Sequence, residues 1–241
     1  MKSASVLTYT GIAGWNLPRE HKPEFPTEGT HLQRYAARFN AVEINSSFYR
    51  PHRPTTYERW SAGVPEDFRF SVKIPREISH KRRLEDVSPA MDEFFSQATS
   101  LGGKLGPILI QLPPSVAFDG RIVTEFFAAL RERFAGKVVF EPRHPTWFGA
   151  SVEDLLNDYR IARVAADPAC VPEARTPGGW PAIRYYRLHG TPRVYYSAYE
   201  DEFLGRIAAE VRGSGVETWV IFDNTALGHA FGDALRFQRM L

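Results

Sequence analysis

The chain has 241 residues, of which 43% are hydrophobic and 24% are charged. This composition is that of an ordinary folded protein and excludes an intrinsically disordered chain. The formal net charge is only +2, so the overall charge indicates no nucleic-acid or membrane partner. The single cysteine, Cys170, excludes a framework of internal disulfides.

Neither a membrane span nor a secretion signal is predicted. No run approaches about 18 consecutive apolar residues, the length that a transmembrane helix needs. The first 15 residues contain one lysine and no long apolar run, unlike a signal peptide. Because no linker or shift in composition divides the chain, we expect one domain over residues 1–241. We expect it in the cytoplasm, with no membrane contact and no obligate protein partner.

Eight short segments are rich in β-branched and aromatic residues and are predicted to be strands. Each is mostly apolar, as expected for a parallel sheet that is buried on both faces. The segments are residues 6–13, 41–47, 68–74, 107–112, 137–142, 161–167, 182–189 and 218–223.

Segments between the strands show helical periodicity. In one of them, Leu32, Tyr35 and Phe39 recur at the spacing of one helix face. In another, Ser88 and Pro89 are typical first residues of a helix. The predicted helices are residues 30–39, 88–101, 121–134, 151–159, 200–212 and 230–241, with a shorter candidate at 57–62.

Strands and helices therefore alternate about eight times, which is typical of an α/β protein. Eight units in a chain near about 250 residues favour a single TIM-like (β/α)8 barrel. The segment between the sixth and seventh strands is rich in proline and glycine, so we expect an irregular loop there instead of a helix. An open, doubly wound sheet is the alternative, which the lack of a glycine-rich phosphate loop after any strand disfavours.

Polar and charged residues lie near the ends of these otherwise apolar strands. Strand residues alternate between the barrel interior and its helix-facing side, and active sites of such barrels lie at the carboxyl ends of the strands. Charged side chains are rarely buried unless they are paired, so their position predicts a polar ring in the barrel mouth. The residues of this ring are Glu43, Asn45, Lys73, Gln111, Glu141, Arg143, His144, Asp167, Arg187, His189, Asp223 and Asn224.

Four members of the ring are candidates for catalysis: Glu43, Lys73, Glu141 and His189. Two carboxylates can act as general acid and general base if their surroundings separate their pKa values. An inward lysine beside apolar neighbours suits a lowered pKa, which allows electrostatic stabilisation or imine formation. Alternatively, Glu43 only forms a structural ion pair with Lys73 or an arginine.

Other residues at the strand ends are candidates for binding a substrate. Arg143 and Arg187 can clamp an anion in bidentate fashion. Alternatively, both arginines form structural pairs with acidic residues such as Glu141 and Asp167. The amide side chains of Asn45 and Gln111 would then only satisfy backbone groups of the barrel. We assign substrate binding to Trp15, Asn45, Tyr49, Arg76, Gln111, Arg143, His144, Arg187, Asp223 and Asn224.

Basic and aromatic residues that follow the strand ends form a predicted rim. Arg76 begins a basic run at residues 76–83, after the third strand. A basic rim above a polar mouth would focus the electric field on an anionic ligand, although a charge run is more often a solvated face. Trp15 and Tyr49 lie just past strand ends, where an aromatic ring either packs the loop or forms a platform for the substrate.

Several motifs of the sequence resemble one known family. They are GIAGW, RFNAVEINSSFYR, FRFSVKIPREISHKRRL, LGPILIQLPPS, FEPRHPTWF, YYRLHG and FDNTALGHA, in this order over residues 10–230. On these motifs the chain is identified as a member of the YecE-like family, also called domain of unknown function 72. The resemblance implies a TIM-barrel fold and points to the same strand-end residues, and it supplies no established activity. The chain departs from the family at Asp223, where the last motif usually has asparagine.

Three functions remain open from the sequence. The first is an enzyme, either a hydrolase or an isomerase/lyase, that acts on an anionic small molecule, phosphorylated or carboxylated, by acid/base chemistry. The second is a nucleic-acid-binding protein or a metal-dependent, endonuclease-like phosphodiesterase. No metal-ligand spacing such as His-x-His occurs, and the lysine and arginines of the ring would repel a cation. We therefore predict no cofactor and assign no metal ligand, although a divalent metal stays possible. The third is a ligand-binding barrel without catalysis.

Overall fold

The computed structural model describes residues 8–241, so the first two residues of the predicted strand at 6–13 lie outside the described range. Elements are numbered in chain order. The strands are β1 (Thr8–Ile12), β2 (Ala41–Ile44), β3 (Arg69–Lys73), β4 (Leu105–Gln111), β5 (Val138–Glu141), β6 (Ile161–Arg163), β7 (Ala165–Asp167), β8 (Gly178–Gly179), β9 (Ile183–Leu188) and β10 (Glu217–Phe222). The α-helices are α1 (His31–Ala36), α2 (Ser46–Tyr49), α3 (Pro54–Ala62), α4 (Ser88–Ala98), α5 (Gly120–Arg133), α6 (Ala150–Asp158), α7 (Asp201–Arg212) and α8 (His229–Met240).

The strands form two sheets that follow one another in barrel order. One sheet has the order β1-β10-β9-β7, and the other has the order β2-β3-β4-β5-β6-β8. The strand pairs are parallel except for β6 with β8. The sheets meet at an isolated bridge between Ala13 and Glu43 and at Val164, which separates β6 from β7. The fold is therefore α/β and TIM-barrel-like, but its ladder is not closed into one continuous sheet.

The seam between β1 and β2 depends on a close approach of the two backbones. A methyl group on Gly11 would lie 2.2 Å from the carbonyl oxygen of Ala41, so only glycine fits there. The buried Tyr35 hydroxyl donates to the Ala41 carbonyl at 2.7 Å and accepts from the Ile12 amide at 2.9 Å. These two bonds satisfy backbone groups where the regular ladder is interrupted, and they tie the two sheets together.

The apolar core has one layer inside the strands and a larger one between the strands and the helices. In the inner layer, Trp219 packs against Tyr9 and Tyr185, with ring centroids 4.6 and 5.9 Å away. Tyr185, Arg187 and His189 share one face of β9 and its carboxyl end. The interior therefore changes from apolar to polar as the strands run toward the mouth.

The segment between β7 and β9 has no α-helix, as predicted. It contains a 3-10 turn (Pro172–Arg175) and β8, which pairs antiparallel with β6. The buried Arg163 fixes this segment, because its Nη1 donates to the carbonyls of Glu173 and Thr176 at 2.9 and 3.1 Å. Arg163 also forms an ion pair with Glu153 on α6.

The long predicted helices are observed close to their predicted positions, and the short candidate at 57–62 is the second part of α3. Besides short 3-10 turns such as Arg19–Glu24, two further helical segments are absent from the sequence prediction. One is α2, which lies where the second strand was predicted to continue, and the other is a π-helix (Glu77–Lys81) within the basic run. None of the helices in residues 8–241 is long and apolar enough to cross a membrane.

We expect the substitution Tyr35→Phe to lower the free energy of unfolding by about 1–3 kcal/mol, because two buried backbone groups lose their partner. Urea unfolding followed by circular dichroism measures the change. Tyr57→Phe is a matched control, since Tyr57 is equally buried and its hydroxyl bonds to no other group in residues 8–241. An equal loss in both variants would contradict a special role of Tyr35 at the seam.

Candidate active site

Arg187 lies at the centre of the polar ring and is completely buried. Its guanidinium binds Glu43 in bidentate fashion, with Nε 3.0 Å from Oε2 and Nη2 2.7 Å from Oε1. Nη1 donates to Glu141 Oε2 at 2.7 Å, and Nη2 donates to Asp223 Oδ2 at 2.9 Å. One cation thus holds three carboxylates, which come from β2, β5 and the end of β10.

The alternation of residues along the strands explains why these side chains meet. Odd-numbered residues of β9 face the interior. The strand registers place Glu43 beside Ser71 and Glu141 beside Gln111, and these side chains face the interior as well. The Tyr185 hydroxyl lies 2.9 Å from Glu43 Oε2 and 2.9 Å from Ser71 Oγ, so it holds Glu43 from the apolar side. The ring is therefore fixed from below by the packed interior.

His189 lies above Arg187, and both of its ring nitrogens have partners. Its Nδ1 is 3.0 Å from Asp223 Oδ2, to which it donates. Its Nε2 is 2.8 Å from Arg143 Nη2 and 3.2 Å from Glu141 Oε1. Because a guanidinium nitrogen only donates, the neutral imidazole accepts from Arg143 at Nε2.

Lys73 provides an amine that is connected to the ring through Gln111. Its Nζ donates to Gln111 Oε1, and Gln111 in turn donates from Nε2 to Glu141 Oε1 at 3.1 Å. The amine also lies 4.3 Å from the centre of the Phe48 ring. Burial, aided by the nearby charge of Arg187, lowers the pKa of Lys73 from about 10.5 to about 8. A substantial fraction of the amine is therefore unprotonated at a pH only slightly above neutral.

The cations keep two of the carboxylates ionised despite their burial. Burial alone would raise the pKa of Glu141, but Arg143 and Arg187 lower it well below its usual range. Burial would likewise raise the pKa of Asp223, but Arg187 and the hydrogen bond from His189 lower it. Both groups are hydrogen-bond acceptors at neutral pH, and neither holds a proton to give to a substrate.

The two arginines of the ring differ in their access to solvent. Arg187 is fully buried and has its donors directed at three carboxylates. The Arg143 side chain is 23% exposed and donates from Nε to Glu141 Oε1 at 2.8 Å. Of these two arginines, only Arg143 therefore has a guanidinium edge that a molecule entering the mouth can contact.

Several predicted binding residues make local contacts instead of joining the ring. The strand that contains Glu43 ends at Ile44, and Asn45 is the residue directly before α2. The Oδ1 atom of Asn45 is buried and has no hydrogen-bond partner in the described chain. His144 accepts from the Thr146 amide and caps a 3-10 turn. Trp15 packs edge-on against Trp60, with ring centroids 5.0 Å apart.

Two residues near the ends of β7 and β10 point elsewhere than expected. The Asn224 amide donates to the Ser197 carbonyl at 2.9 Å and to Asp233 Oδ2 at 2.7 Å, so it faces α8. Asp167 accepts from the Tyr199 hydroxyl at 2.9 Å. Of the two acids in the alternative with structural pairs, Glu141 binds both arginines and Asp167 binds neither.

Tyr49 and Arg76 lie outside the ring, on its rim. Tyr49 is 79% exposed, and Arg76 is exposed at the start of the π-helix. Both line a groove of about 390 Å³ that runs from the mouth toward α4. They therefore keep the rim position that the sequence predicts.

Two residues that the strand-end pattern does not indicate, His80 and Tyr195, have rings close to side chains of the mouth. The His80 ring lies 4.8 Å from the Phe48 ring, which also contacts the Lys73 amine. The Tyr195 ring lies 5.9 Å from the His189 ring, and its backbone has a φ of 70°, a strained conformation for a residue with a side chain. Both lie on loops after strands, and the position of His80 within a basic run concealed it.

The donor set does not fit a metal ion. Residues 8–241 contain no group of three or more His, Cys, Asp and Glu side chains with the arrangement of metal ligands. The carboxylates that would be the natural ligands, Glu43, Glu141 and Asp223, converge on the guanidinium of Arg187. A fixed cation occupies the position where their charges would hold a metal.

Comparison with known proteins identifies the family. The family model described as "Protein of unknown function DUF72" matches residues 9–241. The chain belongs to this family. The membership confirms the family expected from the motifs and names no activity.

Individual relatives agree with this assignment. The chain is 30% identical to the UPF0759 protein YecE of Escherichia coli (strain K12) over 177 residues, which are 70% of this chain and 62% of that protein. The match thus spans less than two thirds of that relative. The crystal structure of a DUF72 family protein from Thermotoga maritima has a TM-score of 0.80 at 26% identity and covers 97% of this chain and 98% of that chain.

A more distant likeness concerns the fold alone. The crystal structure of a sugar phosphate isomerase/epimerase from Parabacteroides distasonis has a TM-score of 0.54 at 13% identity, covering 99% of this chain and 94% of that chain. This likeness supports the TIM-barrel-like architecture of the DUF72 chain.

We expect Arg187→Met to lower the free energy of unfolding by about 3–5 kcal/mol, because it leaves three buried carboxylates without their cation. Urea unfolding at neutral pH measures this loss. Arg121→Met is the matched control, because Arg121 pairs with Glu125 on an exposed helix face and its loss should change stability little. Similar effects of the two substitutions would show that Arg187 does not hold the ring together.

We expect one lysine signal, that of Lys73, to titrate near pH 8 in NMR spectra of the reductively ¹³C-methylated protein. Its folded pKa lies below its ordinary value, so the folded state binds fewer protons between about pH 8 and 10.5. Stability from this residue therefore rises with pH in that window. The Lys73→Arg variant should lack the signal, and a wild-type spectrum without a lysine titrating below about pH 9 would contradict the burial of the amine.

Proposed function

We propose that the protein is an enzyme that binds an anionic small molecule, phosphorylated or carboxylated, at the barrel mouth and moves protons on it. Lys73 and His189 are the acid/base groups, and Arg143 binds the anion. Glu43 and Glu141, which the sequence suggested as an acid/base pair, hold Arg187 and His189 in place instead. The rim residues Tyr49 and Arg76 contact the part of the substrate that extends from the mouth.

The burial of the Lys73 amine against the Phe48 ring, with the neutral amide of Gln111 as its hydrogen-bond acceptor, is the single observation that carries this proposal. A buried amine with a pKa of about 8 is close to the value that suits a general base at neutral pH. An ordinary structural ion pair would raise the pKa of a lysine, whereas Lys73 donates to the neutral amide of Gln111. Such perturbed groups are concentrated at functional sites.

The charge of the ring also favours an anionic ligand. Arg187 binds all three carboxylates of the ring and offsets one of their three charges from within. Arg143 and Lys73 add cationic groups closer to the mouth. The exposed arginine Arg76 adds positive charge at the rim. An anion that enters the mouth therefore meets Arg143 before the carboxylates, because the Arg143 side chain is 23% exposed and that of Asp223 only 11%.

Two further inferences belong to this proposal. We infer that the strands form one complete barrel, because the bridge between Ala13 and Glu43 and the continuous chain at Val164 link the two sheets in barrel order.

We also infer that the protein acts in the cytoplasm, where phosphorylated and carboxylated metabolites are the available substrates.

The distant fold neighbour suggests where to look for the reaction. Sugar phosphate isomerisation and epimerisation need proton transfer next to a carbonyl group, which suits an amine and an imidazole in one site. At 13% identity the neighbour indicates only that this architecture supports such chemistry. No observation favours the nucleic-acid or metal-dependent phosphodiesterase function, because Arg187 engages the acidic residues.

We expect the wild-type protein in D₂O to exchange a carbon-bound hydrogen of one member of a panel of sugar phosphates and sugar acids. Loss of the corresponding ¹H NMR signal measures the exchange. Lys73→Met should lower the rate by about 100-fold or more, since it removes the base and preserves the packing against Phe48.

Lys137→Met is the matched control for this experiment. Lys137 precedes β5 at the opposite end of the barrel and pairs there with Glu217. It should therefore retain the wild-type rate. Exchange that persists in Lys73→Met would contradict the role of Lys73, and binding of an anion without exchange or turnover would identify a non-enzymatic ligand-binding barrel.

A further inference from the structure

The groove of about 390 Å³ beside the mouth shares side chains with the Lys73 site. Phe48 lines the groove, and the centre of its ring lies 4.3 Å from the Lys73 amine. Ser47 also lines the groove, and its Oγ lies 2.7 Å from the Lys73 carbonyl oxygen. The groove and the proposed base are therefore at most one aromatic side chain apart.

Much of the groove surface is apolar. One wall comes from α2 and the loops after β2 and β3, with Phe48, Pro51 and Pro75. The other wall comes from α4, with Ala90 and Phe94. The volume lies within the range of about 300–1,000 Å³ that is typical of small-molecule sites, which have mostly apolar walls and few polar groups. The groove therefore suits a ligand with a flat, weakly polar part.

Tyr49 supplies an aromatic ring that is open to solvent in this groove. Its side chain is 79% exposed, more than that of any other large apolar residue in the described range 8–241. The ring meets Phe48 edge-on, with centroids 5.0 Å apart and an interplanar angle of 89°. This contact orients the ring and leaves most of its surface in water. A flat heteroaromatic group that stacks on Tyr49 would cover this surface.

Two arginines of the groove are free to bind an anion. Arg50 and Arg76 are exposed, and neither side chain forms an ion pair or a hydrogen bond within residues 8–241. Lys81, in contrast, pairs with Glu77 at 3.0 Å, and Glu77 also pairs with Arg82 at 3.0 Å. Guanidinium groups bind phosphate in bidentate fashion, so the two arginines provide a phosphate site next to the aromatic ring.

The α4 wall adds a hydrogen-bond acceptor. Gln97 Nε2 donates to Glu93 Oε1 at 3.1 Å, and Glu93 forms no ion pair in the part of the chain that the structure describes. A carboxylate accepts hydrogen bonds from the N–H groups of a nucleobase. The groove thus combines a stacking surface, a phosphate site and an acceptor, which are the complements of the base and the phosphate of a nucleotide.

We propose that the groove binds a nucleoside phosphate group that is part of the substrate. The base stacks on Tyr49, and Arg50 and Arg76 bind the phosphate. The substrate class is then a nucleotide-linked anionic small molecule, whose reacting end lies in the mouth near Lys73 and Arg143. This inference rests on the proposed function and names the substrate class of the same site. Binding of the nucleotide group positions the reacting end, although the nucleotide itself does not react.

Calorimetry with two probes, AMP and ribose phosphate, tests the proposal. Ribose phosphate is AMP without its adenine, so the difference in affinity measures what the base contributes. We expect AMP to bind the wild-type protein about 10-fold or more tightly than ribose phosphate does. Tyr49→Ala should weaken AMP binding by about 10-fold and leave ribose phosphate binding nearly unchanged, because it removes only the stacking surface.

Three variants control this measurement. Tyr49→Phe keeps the aromatic ring and should retain the wild-type affinity for AMP. Tyr196→Ala removes another exposed aromatic ring, which lies under the Arg193 guanidinium outside the groove, and should bind both probes like the wild type. Arg76→Gln should weaken the binding of both probes, since both carry the phosphate.

A nucleic-acid strand is the alternative occupant. The groove has room for about one nucleotide, and a net charge of +2 attracts a polyanion only weakly, so both observations favour a small molecule. A single-stranded oligoadenylate of about ten nucleotides should therefore bind no more than about 10-fold more tightly than AMP. A larger gain would overturn the assignment to a small molecule.

The outcomes separate this inference from the proposed function. Equal affinities for AMP and ribose phosphate, or an AMP affinity that Tyr49→Ala leaves unchanged, would overturn the nucleotide site. Hydrogen exchange in D₂O that depends on Lys73 would then still support the proposed function. Conversely, AMP binding that depends on Tyr49, without exchange on any member of the panel, would support the nucleotide site and overturn the proposed enzymatic role.

Discussion

The buried ion pairs of Arg187 are the constraint on which the mouth depends. A guanidinium at this depth is stable only because its donors meet carboxylates with good geometry, and those carboxylates are stable only because the guanidinium is present. Since Arg187 neutralises charge from within, Arg143 and Lys73 remain available to a ligand at the open side. The ring thus has a lower, structural level and an upper level with the groups that can react.

Simple periodicity predicts much of this molecule. Strands that are buried on both faces must be apolar, so a segment such as 182–189 is recognisable, and β9 occupies Ile183–Leu188. Alternation along the strands also predicts that Glu43, Lys73, Glu141 and Arg187 face the interior. Alternation also places Asn224 on the opposite side from its neighbour Asp223, which is the side that faces the helices. In the structure Asn224 binds Asp233 of α8.

Long-range contacts decide what periodicity leaves open. The second strand ends at Ile44 because the Ser47 hydroxyl donates to the carbonyls of Ile44 and Lys73, at 2.9 and 2.7 Å, and stabilises a helical turn. The sixth predicted strand breaks at Val164, whose amide donates to the Phe140 carbonyl at 2.9 Å on one side, whereas Ala165 pairs with Tyr186 of β9 on the other. Alternation along a strand predicts which face a side chain is on, but it does not predict the partner of that side chain. The hydrogen bond between Tyr199 and Asp167 was therefore not predictable.

The ion pairs of Arg187 also connect distant parts of the chain. Arg187 meets Glu43 across 144 positions, Glu141 across 46 and Asp223 across 36. Contacts of this span close large loops, and closing such loops costs conformational entropy before the contacts stabilise the chain. A partly assembled chain would contain a buried charge without its counterpart, so no fragment that lacks β2 or β10 can hold this mouth. Assembly of the mouth and completion of the fold are consequently one cooperative event.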